Sequence, residues 1–202
     1  MALVPVGTPG RTALFLPGTF APAFVALWLT RRSIGSRVLL AKTMVWEVKP
    51  RWYLFAFLYM AVIKLAAASV HRFTMGAWPA FETGAWLLAI PATLISTPFQ
   101  AGEEIGWRGY AFEPMAYRLR PGPAALGLGV IWAIWHLPLF FIAGTDTTGQ
   151  SFPLFLLTVI AISVAICWLY MRTLVTLLPV MLMHAAADNT PHFVASVPSG
   201  GV

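Results

Sequence analysis

The sequence predicts an all-α fold: a polytopic transmembrane bundle of about six spans, with one amphipathic helix on the membrane surface. Three observations predict it. Of the 202 residues, 59% are hydrophobic and only 10% are charged, against about 25% charged in an ordinary soluble domain. Mean hydropathy is +0.77. Apolar runs of near-spanning length recur along the chain, where a transmembrane helix needs about 20 such residues. Nine tryptophans fit a protein whose rings line membrane interfaces.

Six runs carry this pattern: 13–30, 52–68, 83–101, 123–143, 152–171 and 174–188. The first is interrupted by Pro17, Gly18 and Pro22, and reads as a broken segment, the remnant of a longer hydrophobic hairpin. It is a poor signal peptide, because its positive cluster follows the apolar run and no small-residue cleavage site is evident. The stretch 32–49, "RSIGSRVLLAKTMVWEVK", mixes basic residues with Val, Leu, Met and Trp, as a helix lying in the inner interface does. The connection "MRTL" is short, which predicts a tight antiparallel pair of the last two spans. The tail "SVPSGGV" reads as frayed. The whole chain, 1–202, is expected to be one membrane-embedded domain, with its motif core at 52–190 and a short N-terminus.

Charge sets orientation. Arg31, Arg32, Arg37, Lys42, Lys49 and Arg51 fall between the first and second runs. Arg108, Arg118 and Arg120 fall between the third and fourth, and Arg172 between the fifth and sixth. The alternate connections hold little beyond Arg72 and Asp146. Basic connections face the cytoplasm, so the expected location is a prokaryotic plasma membrane with these loops inside. Membrane topology accounts for the net charge of +6, and no nucleic-acid partner is expected. Cys167 is the single cysteine; it excludes an internal disulfide and reads as an inert buried thiol.

Ionisable groups within spans are costly and mark candidate function. Lys64 is expected to snorkel to the outer interface. Glu82, Glu113, His71 and His192 read as ordinary surface groups near segment ends. Three other places differ: "GEEIGWRGY" (Gly102–Tyr110), His136 in "IWAIWHLPLFF", and His184 with Asp188 in "PVMLMHAAADN". His136 lies roughly 20 Å and His184 roughly 15 Å from their cytoplasmic helix ends, at a 1.5 Å rise per residue. Both are near mid-membrane. Glu104 and Arg108 are i and i+4, and so can pair on one helical face. Glu103 is rotated about 100° from them and is free to face a polar cavity as a general base. His184 and Asp188 are likewise i and i+4. Gly102, Gly106 and Gly109 permit close helix approach.

These three motifs resemble those of the CAAX protease and bacteriocin-processing family of intramembrane proteases, which includes the Ras-converting-type CAAX prenyl endopeptidases. "EEIGWR" is similar to the family's EExxxR motif. "WAIWH", Trp132 to His136, is similar to its aromatic-xxx-His motif, and "HAAAD", His184 to Asp188, to its HxxxN motif. The resemblance covers roughly 52–190. It implies hydrolysis of a peptide bond in a membrane-associated protein or peptide. By it, Glu103 activates a water that His136 helps to hold, His184 and Asp188 stabilise the oxyanion, and Glu104 with Arg108 positions the motif helix. In the prenyl-protease branch the substrate is a prenylated C-terminal tail, and no metal is required. Glu103, His136 and His184 nevertheless have the composition of a two-histidine, one-carboxylate zinc or iron site.

The departure from the family pattern is Asp188, where the family has Asn. An ionised Asp cannot donate to an oxyanion. Asp188 is then protonated, or has another role, or activity is weak; Asn189 is rotated about 100° away. A non-catalytic relative, an immunity or membrane scaffold protein, is the second reading. A small transporter is the third, and no inverted repeat supports it.

Overall fold

The computed structural model describes residues 9–79, 86–142, 145 and 147–190. Glu82, Asp146, His192 and the tail lie outside them. The described residues form helices and no strand. In chain order these are α1 (Pro9–Thr30), α2 (Gly35–Met44), α3 (Pro50–Met75), α4 (Trp86–Ser96) and a 3-10 turn (Thr97–Gln100). Then come α5 (Ala101–Glu104), a π-helix (Ile105–Phe112), α6 (Glu113–Leu119) and α7 (Pro121–Trp135). A 3-10 segment (Leu137–Phe141), α8 (Phe152–Arg172) and α9 (Leu178–Asn189) complete the series. Among the described residues, three stretches are long and apolar enough to cross a membrane: Pro50–Met75, Pro121–Phe141 and Phe152–Arg172. Of the other three expected spans, the third is a segmented helix and the sixth a shorter one, and the first contributes the apolar stretch Pro17–Thr30 of α1. The described residues divide into two compact units, one of 47–79 and 86–100 with 179–190, the other of 9–46 with those of 101–178.

In the second unit, α1 is one continuous helix with Pro17 and Pro22 inside it, not the broken segment the prolines suggested. Proline is tolerated in membrane helices, where neighbouring groups satisfy the freed backbone atoms. α1 packs on α5 and the π-helix, and the glycines set the distance. A Cβ on Gly106 would lie 2.5 Å from Pro22, and one on Gly102 would lie 2.8 Å from the Thr19 carbonyl oxygen. The sequence expectation of close approach at these glycines holds. The α7–α8 pair is built the same way: a Cβ on Gly129 would meet the Ile160 backbone at 2.8 Å, and Ser163 Oγ donates to the Ala125 carbonyl at 3.0 Å.

The expected surface helix is α2. It buries Leu39 and Thr43 and leaves Val38, Leu40 and Met44 exposed beside Arg37, the mixed face of an interfacial helix. Lys42 ties it down: its Nζ reaches Glu113 Oε1 at 2.5 Å and Tyr170 Oη at 3.0 Å. Tyr170 Oη donates to the same Glu113 oxygen at 2.7 Å. Glu113 stays at the surface, as expected, and there links α2, α6 and α8.

The turn after α8 corrects the sixth run, which starts helically at Leu178 and not at residue 174. Leu174 and Val175 sit at φ 56° and 57°, the left-handed region that branched residues rarely occupy. The Val175 N–H closes the turn onto the Tyr170 carbonyl at 3.0 Å, and the Leu177 N–H, donating to the Lys42 carbonyl at 2.9 Å, ties the turn to α2.

In the first unit, α3 extends past the expected 52–68 to a left-handed Gly76 cap, whose N–H donates to the Arg72 carbonyl. It exposes Leu54, Val62, Leu65 and Phe73, the apolar surface a lipid-facing helix presents. α9 joins α4 through Asn189 Nδ2, which donates to Ser96 Oγ at 2.8 Å.

Gly106→Ala is expected to cost about 1–3 kcal/mol, as an overpacked contact against backbone does. The thermal midpoint in detergent reads this loss. Gly122→Ala, whose Cβ would meet nothing within 4 Å, is the control and leaves the midpoint unchanged or slightly raised.

Candidate active site

The motif helix changes its winding where its charges sit. Residues 86–119 are helical without a break, passing from α to 3-10, back to α at the two glutamates, and then into eight residues of π-helix. Such i→i+5 winding is rare and recurs at functional sites. The change still leaves Arg108 on the face of Glu104: Arg108 Nη1 donates to Glu104 Oε1 at 2.8 Å, and neither side chain has any exposed surface. The Arg108 guanidinium also lies 4.3 Å from the centroid of the Trp132 ring, a cation–π contact that gains strength when desolvated. Arg108 Nε and Nη2 have no hydrogen-bond acceptor among the described residues. Charge pairing and the indole face therefore carry much of the compensation for burying this cation.

Glu103 faces another way, as its position on the helix predicted. It is 7% exposed. Its Oε2 accepts the Trp132 indole N–H at 2.6 Å and the Trp107 indole N–H at 3.3 Å. Trp107 is four residues after Glu103, so the same i, i+4 rule that paired Glu104 with Arg108 could have identified it.

His136 sits at the end of a helix and not within one. The expected run 123–143 stops being α-helical at Trp135, and Leu137–Phe141 winds as 3-10. Pro138 explains the break, since it lacks an N–H and disfavours helical geometry in the residue before it. His136 Nδ1 lies 2.8 Å from the Trp132 carbonyl oxygen. A carbonyl only accepts, so Nδ1 carries the proton, and in the neutral ring Nε2 is the acceptor. The imidazole is walled by Trp132 and Phe155, with ring centroids 5.8 and 5.7 Å away. Trp132 thus contacts both candidate groups of the second unit, Glu103 through its indole and His136 through its carbonyl.

The third motif lies in the first unit. His184 is buried, and its Nε2 is 3.7 Å from Asp188 Oδ2. Gln100 Nε2 donates to that same oxygen at 2.9 Å. Gln100 was missed in the sequence, although a buried amide three residues before Glu103, in the apolar run "ISTPFQA", is a polar signal of the same kind. The Asn189 amide is turned to Ser96 and to the Ala185 carbonyl, at 2.8 and 2.7 Å, so it anchors α9. Among the described residues, no group of three His, Cys, Asp or Glu side chains could hold a metal ion. Cys167 is buried in α8.

Membrane-length helices, together with shorter helices that bring in a buried ion pair, a hydrogen-bonded carboxylate and a second imidazole, define a class: polytopic helical membrane proteins with ionisable groups built into their interior. Within that class, residues 83–190 match the family model described as type II CAAX prenyl endopeptidase, Rce1-like. This is more than half of the chain, and the chain belongs to that family. All three motifs fall inside the matched region. The chain is also similar to CAAX prenyl protease 2 of Methanococcus maripaludis, at 28% identity over 88 residues, 41% of this chain and 32% of that relative. It therefore covers less than two thirds of the relative's length.

Arg108→Ala leaves Glu104 charged and buried without its partner. It is expected to cost about 3–5 kcal/mol and to lower folded yield well below that of Glu103→Gln, as monodisperse protein recovered by size exclusion in detergent. Equal yields would show that the pair does not hold the motif helix.

Proposed function

We propose that this protein is an intramembrane endopeptidase that hydrolyses a peptide bond of a membrane-associated protein or peptide. The observation that carries the reading is the pair of acceptors flanking Trp132. Glu103 offers a carboxylate, and His136 offers an imidazole whose Nδ1 proton is already donated. A water that donates its two hydrogens to two such acceptors keeps an oxygen lone pair for attack. Glu103 takes one proton, the hydroxide adds to the scissile carbonyl carbon, and the C–N bond breaks as that proton passes to the leaving amine. Water is consumed, and one carboxyl and one amine are formed.

The family resemblance gives His184 and Asp188 the oxyanion role, and Gln100 supports a particular division of it. Asp188 accepts from Gln100, so it serves as an acceptor. Its Oδ2 lies 3.7 Å from His184 Nε2 and orients that ring, and the resemblance leaves to His184 the donation to the oxyanion. The positive-inside rule supports placing the basic connections on the cytoplasmic side of a prokaryotic plasma membrane. Prenylated tails are the substrates the family description names; leader and signal peptides share the needed form, an extended apolar peptide in the bilayer. The second reading, a non-catalytic immunity or scaffold protein, draws on Asp188 standing where the family has Asn.

Glu103→Gln is expected to abolish cleavage while folded yield is kept; identical C-terminal fragments in membranes expressing wild type and Glu103→Gln would favour the scaffold. Asp188→Asn separates the roles of Asp188. A kcat reduced about tenfold or more is expected if its charge holds His184. A kcat raised above wild type would show that Asp188 is a defective oxyanion donor.

A further inference from the structure

We propose that Trp132 and Trp107 are positioning residues that select which oxygen of Glu103 acts as the base. The inference rests on the endopeptidase reading and adds to it the identity of the reacting atom. Both indole N–H groups end on Oε2, at 2.6 and 3.3 Å. An indole N–H is a donor only, so these contacts require Oε2 to be an acceptor. An oxygen accepting two N–H donors has both lone pairs occupied. Oε1 has no hydrogen bond to the described residues and keeps its lone pairs for a proton. Oε1 is therefore the atom that takes the proton from water and later returns it to the leaving amine.

Trp132 acts on both acceptors at once. Its ring N–H fixes the Glu103 carboxylate plane, and its main-chain carbonyl fixes the His136 tautomer. The two effects can be separated. Trp132→Phe removes the indole N–H, keeps an aromatic ring near Arg108 and His136, and leaves the carbonyl in place. A plain aromatic at this motif position would pack as well, so packing alone does not call for an indole. The 2.6 Å bond does.

The test uses the full chain reconstituted in liposomes, with a fluorogenic membrane-anchored peptide as substrate. Trp132→Phe is expected to lower kcat by about tenfold to a hundredfold, the scale of a lost hydrogen bond to a charged group, with KM within about twofold. Trp107→Phe, removing the longer bond, is expected to lower kcat by about twofold to fivefold. It also serves if Trp132→Phe fails to fold. Infrared difference spectra supply a readout without substrate: the carboxylate band that disappears in Glu103→Gln shifts in both Trp variants. Unchanged kcat with an unshifted band overturns the proposal, as does a rise in KM with kcat unchanged, which would make the indoles substrate contacts. A shifted band in a protein whose Glu103→Gln form cleaves like wild type overturns Glu103 as the base and leaves the hydrogen bonds intact, whereas a shifted band in a wild type that cleaves no peptide overturns the endopeptidase reading.

Discussion

The buried Glu104–Arg108 pair is the constraint around which the second unit is arranged. Two charges without exposed surface are tolerable in an apolar interior only when paired and covered. The requirement fixes three things. It keeps both residues on one face of a coil whose winding changes between them. It draws α7 in, because the cover over the guanidinium is the Trp132 ring. It also leaves Glu103, one residue earlier, pointing elsewhere. With Trp132 fixed above Arg108, its indole nitrogen reaches Glu103 and its carbonyl reaches His136. The candidate chemistry therefore rests on a structural ion pair that takes no part in it.

Glycine makes the arrangement physically possible. Gly102 and Gly106 let α1 lie on the motif helix at distances no side chain would allow, and Gly129 does the same between α7 and α8. Apolar burial does not drive helix association in lipid, where the surroundings are as apolar as the core. Close backbone contact and a few polar ties do that work. The ties are visible: Ser163 to Ala125, Asn189 to Ser96, and the Lys42–Glu113–Tyr170 cluster. The last of these links a surface helix to the helices beneath it, so α2 is attached to the second unit by side-chain bonds as well as by any attraction to lipid.

Much of this was legible in the sequence where neighbours along a helix decide the outcome. Glu104 with Arg108 and His184 with Asp188 are four residues apart, and helical geometry brings them together whatever surrounds them. The glycine spacing was legible for the same reason. The misreadings have specific physical causes. Pro17 and Pro22 looked like breaks because proline ends helices in water, whereas α1 runs through them. Leu174 and Val175 looked like the start of a span; they form instead a left-handed turn that closes on the end of α8 and is tied to α2 through Leu177. His136 was placed inside a helix although Pro138 marked its end.

The sequence by itself determined the class of fold, the burial of charge in pairs, and the two separate directions of adjacent glutamates. Composition and a 3.6-residue repeat fix these without reference to the rest of the chain. Only the tertiary structure decided the partners. Trp132 lies 29 residues from Glu103 and Gln100 lies 88 from Asp188. Which oxygen accepts, and which stays open, depends on the direction of an N–H bond brought in by another helix. Hydrogen bonds are directional and side chains are not oriented by sequence, so the shorter of the two bonds that set Oε2 of Glu103 apart from Oε1 arrives only with α7.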